Sequence, residues 1–203
     1  MKFKRFLKPV ALISLLVACS VLLAGCSSDK LPPIQILVGN SYVSEESLTA
    51  CEEELLASHP DWQEEETAVG FTSISFGDPE TDPYAGASIA KVSAMVTAKE
   101  VDVIVCDTEN AARFARGEMF VPLEEVLSEE ELSQYQDRLL AFEMVNDEGN
   151  PTGEFTPSCG ISITGDPQFD EIYGEQEYGV FLVSNAEPME NAEAVFKELI
   201  GLK

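Results

Sequence analysis

The sequence predicts an α/β domain, a three-layer sandwich in which a mainly parallel sheet lies between layers of helices. Two observations support this class. Apolar, β-branched runs typical of buried strands recur through the first half of the chain. Segments with helical spacing of apolar residues separate them, which gives the order β-α-β-α-β-α. Such alternation is typical of parallel strands joined by helices that pack on the sheet.

The first strand is predicted over residues 34–38, where the sequence reads Ile-Gln-Ile-Leu-Val. A helix is expected to follow and to end near Ser58. Ser44 is a typical N-cap residue, and glutamates follow it in the first turn, where the helix dipole favours negative charge. The His59-Pro60 pair ends this helix, because proline disfavours helical backbone in the residue before it.

The next elements follow the same alternation. Residues 67–76 are rich in β-branched and aromatic side chains and predict a second strand. A helix of small residues is predicted from residue 85 to about 99. The clearest buried strand covers residues 101–106, and a helix over 109–116 follows it.

The second half is less regular. Ser128 and Glu131 have the spacing of a capping box and predict another helix start. A strong turn is predicted over residues 146–150. The remaining predictions are strands over 141–145, 160–164 and 178–183, and a final amphipathic helix over 188–200.

The N-terminus has the order of a secretory signal peptide. Four basic residues within the first eight precede an apolar run over residues 10–24, and Leu-Ala-Gly leads into Cys26. That ending resembles the lipobox of bacterial lipoproteins, which implies cleavage before Cys26 and a diacylglycerol on its thiol. The alternatives are an ordinary secretory signal or an uncleaved anchor, but the run is shorter than the roughly 20 residues that a spanning helix needs.

These features predict a three-part organisation. Residues 1–25 form the signal peptide, residues 26–33 form a lipidated tether and residues 34–203 form a single α/β domain. The expected location is the extracytoplasmic face of the cell membrane, where the lipid anchor holds the protein.

The charge balance excludes one class of partner. The chain has 37 acidic and 12 basic residues, a formal net charge of −25, and every acidic residue follows Cys26. A surface this acidic repels phosphate backbones, so no nucleic-acid partner is expected.

Three passages resemble the extracellular solute-binding proteins of bacterial ABC importers, which have the type II periplasmic-binding fold. The first is the lipobox with the strand and helix over residues 34–58. The second runs over 101–114 and continues through 117–123, and the third joins 178–185 to 191–200. The resemblance implies capture of a small molecule for a membrane permease or a sensor, without catalysis. Because family members have two lobes and roughly twice this length, it also implies a reduced second lobe, around residues 139–164.

In such a fold, ligands bind beyond the carboxyl ends of the strands. The polar residues that follow the predicted strands are therefore the candidate ligand-binding residues, and the same residue types also form helix caps and turns. The candidates are Asn40, Ser41, Tyr42, Asp107, Thr108, Asn110, Ser184 and Asn185.

Other chemistry is not predicted. His59 is the only histidine, so a histidine-rich metal site is excluded. A histidine-dependent triad would have to use His59 itself, which is interpreted as a turn residue. No glycine-rich phosphate loop occurs, and no cofactor is expected. Cys51, Cys106 and Cys159 are interpreted as buried thiols, with a Cys51–Cys106 bridge left open. The alternative function is an envelope interaction lipoprotein that keeps the fold without transport.

Overall fold

The computed structural model describes residues 33–64, 67–77 and 82–202, which belong to one compact unit. The predicted signal peptide, Cys26 and the tether up to Pro32 lie outside these residues. None of the helices in the described ranges has both the length and the apolar character that a membrane span requires.

The described residues alternate between strands and helices. The strands are β1 (Ile34–Asn40), β2 (Val69–Ser75), β3 (Val103–Asp107), β4 (Leu139–Leu140), β5 (Glu143–Val145), β6 (Pro151–Phe155), β7 (Gly160–Ser162) and β8 (Tyr178–Leu182). The α-helices are α1 (Glu45–Ser58), α2 (Ala85–Thr97), α3 (Thr108–Arg116), α4 (Glu129–Ser133), α5 (Asp170–Tyr173) and α6 (Met189–Leu199). Short 3-10 turns cover Pro60–Gln63, Leu123–Glu125 and Gln136–Arg138.

Local capping explains where several helices begin. The Ser44 side chain accepts a hydrogen bond from the Ser47 backbone N–H at the start of α1. At α4, Ser128 and Glu131 form the predicted capping box, in which each side chain accepts from the other residue's backbone N–H. Each cap satisfies backbone donors that have no partner inside the helix.

The main sheet has six strands in the order β2-β1-β3-β8-β7-β4. Strand β1 is parallel to both β2 and β3, whereas the β3–β8, β8–β7 and β7–β4 pairs are antiparallel. The α/β class is therefore confirmed, but the sheet of the described residues is mixed, and the prediction of a mainly parallel sheet is not confirmed.

The direction of β8 explains the difference. An apolar strand that is covered on both faces reads as a continuous hydrophobic run, whether its neighbours are parallel or antiparallel. Strand β8 is buried along its whole length, so its apolar pattern does not show its direction. The chain returns from β7 to β8 through residues 163–177 and pairs antiparallel to β3.

Apolar side chains pack on both faces of the sheet. Alternate residues of β3 belong to different clusters: Val103 and Val105 pack with residues of α1 and α6, whereas Ile104 and Cys106 pack with residues of α2 and α3. This alternation follows from the two-residue period of a strand. The central strands are consequently closed to solvent, and any site must lie at an edge or an end of the sheet.

A buried carboxylate connects the start of β3 to two neighbouring segments. Asp102 Oδ2 accepts a hydrogen bond from the Gln35 backbone N–H at 2.8 Å, and its Oδ1 accepts from the Glu187 N–H at 3.2 Å. Burial raises the pKa of the Asp102 carboxyl above its ordinary value. The two backbone donors partly offset that effect, so this carboxylate acts as a structural acceptor.

Strands β5 and β6 form a separate two-stranded hairpin. The predicted turn over residues 146–150 joins them, and the Asn146 side chain accepts from the backbone N–H groups of Glu148 and Asn150. Every residue of β6 is exposed to solvent. The hairpin therefore stands out from the main sheet and is free to form one side of a groove.

Candidate functional site

The carboxyl ends of β1 and β3 meet at one end of the sheet, as the sequence predicts. Gly39 lies opposite Cys106 in the parallel register, which places Asn40 beside Asp107. Asn40 is buried, and its Nδ2 donates to the Ile172 carbonyl at 2.6 Å. Its Oδ1 accepts from the Ser41 backbone N–H at 2.7 Å. The Asn40 amide is thus bonded within the protein on both sides.

Asp107 and Asn110 form a cap at the start of α3. Asp107 Oδ1 accepts from the Asn110 backbone N–H at 2.9 Å, and Asn110 Nδ2 donates to Asp107 Oδ2 at 2.9 Å. Both side chains are buried. Thr108 follows them, and its backbone N–H donates to the Glu177 carbonyl at 3.0 Å. Asp107 and Asn110 therefore form the helix cap that the sequence left open as their alternative.

Helix α5 lies against this end of the sheet. The Tyr173 hydroxyl donates to the Val105 carbonyl at 2.7 Å and lies 3.1 Å from the Gly39 carbonyl oxygen. Its ring stacks on Tyr178, with 4.3 Å between ring centroids. Burial raises the pKa of Tyr173 well above its ordinary value, and that of Tyr178 to about 12. Tyr173 and Tyr178, both neutral, therefore pack at the carboxyl ends of β1 and β3.

Of the remaining predicted residues, two stay at this end of the sheet and two do not. Ser41 and Tyr42 follow β1 and are exposed, Tyr42 at 74%. Ser184 and Asn185 lie at the opposite end of the sheet, because β8 runs antiparallel to β3 and its residue Leu182 lies against Val103. All eight candidates would lie at one end of the sheet only if β8 were parallel to β3. Because β8 is antiparallel, that expectation is wrong for Ser184 and Asn185.

A groove of about 450 Å³ lies at that opposite end of the sheet, beside Ser184. The β5–β6 hairpin forms one wall, and the end of α3 with the segment that follows it forms the other. Most of its lining is apolar. The apolar residues are Ala115, Phe120, Pro122, Met144, Phe155, Pro157 and Cys159. Phe155 is 63% exposed, so its ring borders the groove without packing in the core.

One guanidinium group is held at the groove. Arg116 Nε donates to the Glu143 carbonyl of β5 at 2.8 Å, which fixes the side chain between α3 and the hairpin. Within the described part of the chain, Arg116 forms no ion pair. Glu118 and Glu154 also line the groove and are exposed to solvent. The groove therefore offers an apolar body and one positioned donor, with acidic groups at its solvent-exposed rim.

The hydroxyl groups of Ser184 and Thr156, which also line the groove, are bonded within the protein. Ser184 Oγ donates to the Glu118 carbonyl at 3.3 Å, and Thr156 Oγ1 accepts from the Phe142 N–H at 3.0 Å. No cluster of metal-ligating side chains occurs among the described residues. The arrangement is suited to holding a molecule by apolar contact and one charged hydrogen bond.

The single histidine lies elsewhere. His59 stacks on Trp62 at 4.2 Å between ring centroids, and its Nδ1 lies 3.2 Å from Glu198 Oε2. Trp62 Nε1 donates to the same carboxylate oxygen at 2.6 Å. His59 also borders a more polar cleft of about 420 Å³ together with Arg138 and Asp166. Its contacts connect the end of α1 to α6, in keeping with its prediction as a turn residue.

Apart from Ser184, the residues that line the groove were not predicted from the sequence, above all Arg116, Met144 and Phe155. A signal for the hairpin was present, because a predicted strand over 141–145 followed by a strong turn indicates a second strand. Pro151 and Gly153 concealed that strand, since both residues are depleted in strand interiors.

Comparison with protein-family models, with curated proteins and with solved structures finds no match to this chain. Function is therefore inferred from the geometry and the sequence together.

Proposed function

We propose that this protein is a lipid-anchored, extracytoplasmic, non-catalytic binding protein that holds a small molecule in the groove beside the β5–β6 hairpin. It would deliver that molecule to a membrane permease of the ABC type or act as its sensor. The observation that carries the proposal is an apolar groove with one fixed guanidinium. A volume of about 450 Å³ is in the range of small-molecule sites.

In this proposal, the main sheet and its helices are one lobe of a three-layer, solute-binding-like fold. The hairpin lies within residues 139–164, where the resemblance implies the reduced second lobe. A single lobe with a hairpin encloses a ligand less than two lobes do. We therefore expect modest affinity, and we expect the exposed ring of Phe155 to act as the movable wall.

The lining favours an amphipathic anion. Phe120, Met144 and Phe155 offer apolar surface to an alkyl or aryl body. Arg116 offers donors in a planar fork, which suits a carboxylate or a sulfonate. The acidic rim would repel a second negative charge, so a monoanion fits best.

The anchor supplies the location. Cys26 and the following tether would hold the domain near the membrane surface, since each buried methylene of an acyl chain contributes about 0.8 kcal/mol to membrane binding. Intact mass spectrometry of the membrane fraction tests this part. A mature chain that begins with diacylated Cys26 is expected, and any other N-terminus contradicts it.

Thermal unfolding with defined probes tests the groove. The full chain in zwitterionic nanodiscs is heated while the fluorescence of buried Trp62 is followed, with octanoate, octylammonium or a sugar added. Octanoate at about ten times its Kd should raise Tm by about 3–6 °C. Octylammonium has the same alkyl body with the opposite charge and should not.

Two single-residue variants locate the effect. Phe155→Ser should abolish the octanoate shift, because it removes one wall of the groove at an exposed position. Tyr42→Ser changes another exposed aromatic residue, at the carboxyl end of β1, where the sequence predicts ligand binding. This variant should keep the octanoate shift. Loss of the shift in Tyr42→Ser alone would place the ligand at that end of the sheet instead.

A second candidate is an envelope interaction lipoprotein that keeps the fold without transport. The hydrogen bonds of Tyr173 and Asn40 support it, because at the carboxyl ends of β1 and β3 both side chains are already bonded within the protein. No thermal shift with any probe, together with a cross-linked protein partner, would favour this candidate.

A further inference from the structure

Strand β2 forms one edge of the main sheet and is long and regular. It pairs with β1 over seven residues, from Val69 opposite Ile34 to Ser75 opposite Asn40, without a register shift. Within the described ranges, no strand pairs with its other side. The opposite edge of the sheet is β4, which has only two residues. Strand β2 is therefore the edge with room for a further strand.

Two hydrogen bonds at the ends of the β1–β2 pair determine which backbone groups of β2 point away from β1. The Ile34 N–H donates to the Ala68 carbonyl, and the Phe76 N–H donates to the Asn40 carbonyl. Hydrogen bonding to one neighbour alternates along a parallel strand, so the even-numbered residues of β2 face β1. The N–H and carbonyl groups of Val69, Phe71, Ser73 and Ser75 consequently face the open side.

Nothing in the sequence of β2 protects this edge. Residues 69–75 read Val-Gly-Phe-Thr-Ser-Ile-Ser, without a proline or a charged side chain. Natural edge strands are usually blocked by lysine, proline or a bulge. The exposed strand β6 follows that rule, since it contains Pro151, Glu154 and a register irregularity against β5.

Acidic residues flank β2 in the sequence on both sides. Glu64, which is exposed, precedes the strand, and Asp82, whose carboxylate lies close to Gly77, follows it. A second copy that paired through β2 would bring acidic groups beside acidic groups in either orientation, which destabilises the pair. A strand with basic residues at both ends would instead complement them.

We propose that the open edge of β2 accepts an extended segment of a partner protein as a seventh strand. The segment carries Lys or Arg at both ends of an uncharged core of β-branched residues. Backbone hydrogen bonds to Val69, Phe71, Ser73 and Ser75 hold it, as in other cases of strand addition. The flanking acids select its charge. This surface is distinct from the groove, and the proposal does not depend on what the groove binds.

Fluorescence anisotropy with synthetic peptides tests the proposal on the full chain in zwitterionic nanodiscs. The probe is a labelled peptide with an alternating valine–threonine core and a pair of lysines at each end. One control replaces the lysines with glutamates, and another replaces the core with glycine and serine. Only the first peptide should bind, and protein-free nanodiscs should not bind it.

A substitution at one position separates the backbone from the side chain. Ser73→Pro removes an outward N–H without touching the bonds to β1, whereas Ser73→Ala keeps that N–H. Ser73→Pro should weaken peptide binding at least about tenfold, and Ser73→Ala should not. Both variants should keep the octanoate response of the groove, which separates failure here from failure of the proposed function.

A charge variant covers the case in which Ser73→Pro does not fold. Ser73→Lys places a cation on the edge and should also weaken binding of the lysine peptide. Ala90→Lys makes the same charge change on the exposed side of α2 and should leave binding within about twofold. Equal binding of the glutamate peptide, or equal binding by Ser73→Lys and Ala90→Lys, would overturn the proposal. So would a dimer that Ser73→Lys disperses, since the occupant would then be a second copy.

Discussion

At the scale of single residues, burial suppresses the reactivity of the thiol groups. Cys51, Cys106 and Cys159 are all buried and free, so the Cys51–Cys106 bridge that the sequence left open does not form. Burial raises the pKa of Cys51 to about 12 and that of Cys159 to about 11. It raises the pKa of Cys106 well above its ordinary value near 9. Because the thiolate is the nucleophile, these thiols should be inert in the folded protein.

We expect Ellman's reagent at pH 8 to react slowly with the folded protein and rapidly after unfolding in urea. The sign of the pH dependence follows from the same shifts. Unfolded thiols ionise near 9, whereas the folded ones stay neutral until about pH 11–12. The contribution of the buried neutral thiols to stability is therefore complete below about pH 9 and is lost as the pH rises through that interval. Rapid labelling of the folded protein at pH 8 would contradict this account.

Capping residues are the part of the candidate site that single residues predict well. Ser44, Asp107 and Ser128 begin helices as their sequence context indicates. The contact of Asn40 with the Ile172 carbonyl joins residues 132 positions apart, and no local pattern reports it. A polar residue after a strand has the same sequence signature whether it binds a ligand or a neighbouring segment.

At the scale of elements, the direction of one strand decides where the site lies. The sequence predicts the described strands except β4 and β6, and it predicts α1, α2, α3 and α6, because their apolar periodicity is local. The antiparallel direction of β8 and the position of α5 depend on contacts between distant segments. That is why Ser184 lies beside the groove, while Asp107 lies near α5 at the other end of the sheet.

The Tyr173 hydroxyl and the Asn40 amide both join α5 to the sheet. Tyr173→Phe removes a donor to the buried Val105 carbonyl, and we expect it to lower the free energy of unfolding by about 1–3 kcal/mol in urea titration. Tyr84→Phe is the matched control at a 74% exposed position and should change it by less than about 0.5 kcal/mol. Equal stability of the two variants would mean that this hydrogen bond does not stabilise the fold.

At the scale of the whole molecule, the two proposed surfaces have different selectivity for charge. The chain has a formal net charge of −25, which favours basic segments of partner proteins at the β2 edge. For the groove we propose the opposite preference, because the Arg116 guanidinium is held there beside the acidic rim. With these two proposed surfaces, the protein would bind a small anion and a basic protein segment independently.

The most direct test of the groove as the binding site is a methyl NMR titration with octanoate. The full chain in nanodiscs is labelled at its methionine methyl groups, which report from separate regions of the fold. Met144 lines the groove, whereas Met95 lies on α2 and Met189 begins α6. The account predicts a saturable shift of the Met144 methyl, with Met95 and Met189 unmoved, and loss of that shift in Phe155→Ser. An unmoved Met144 signal at octanoate concentrations that raise Tm would contradict it.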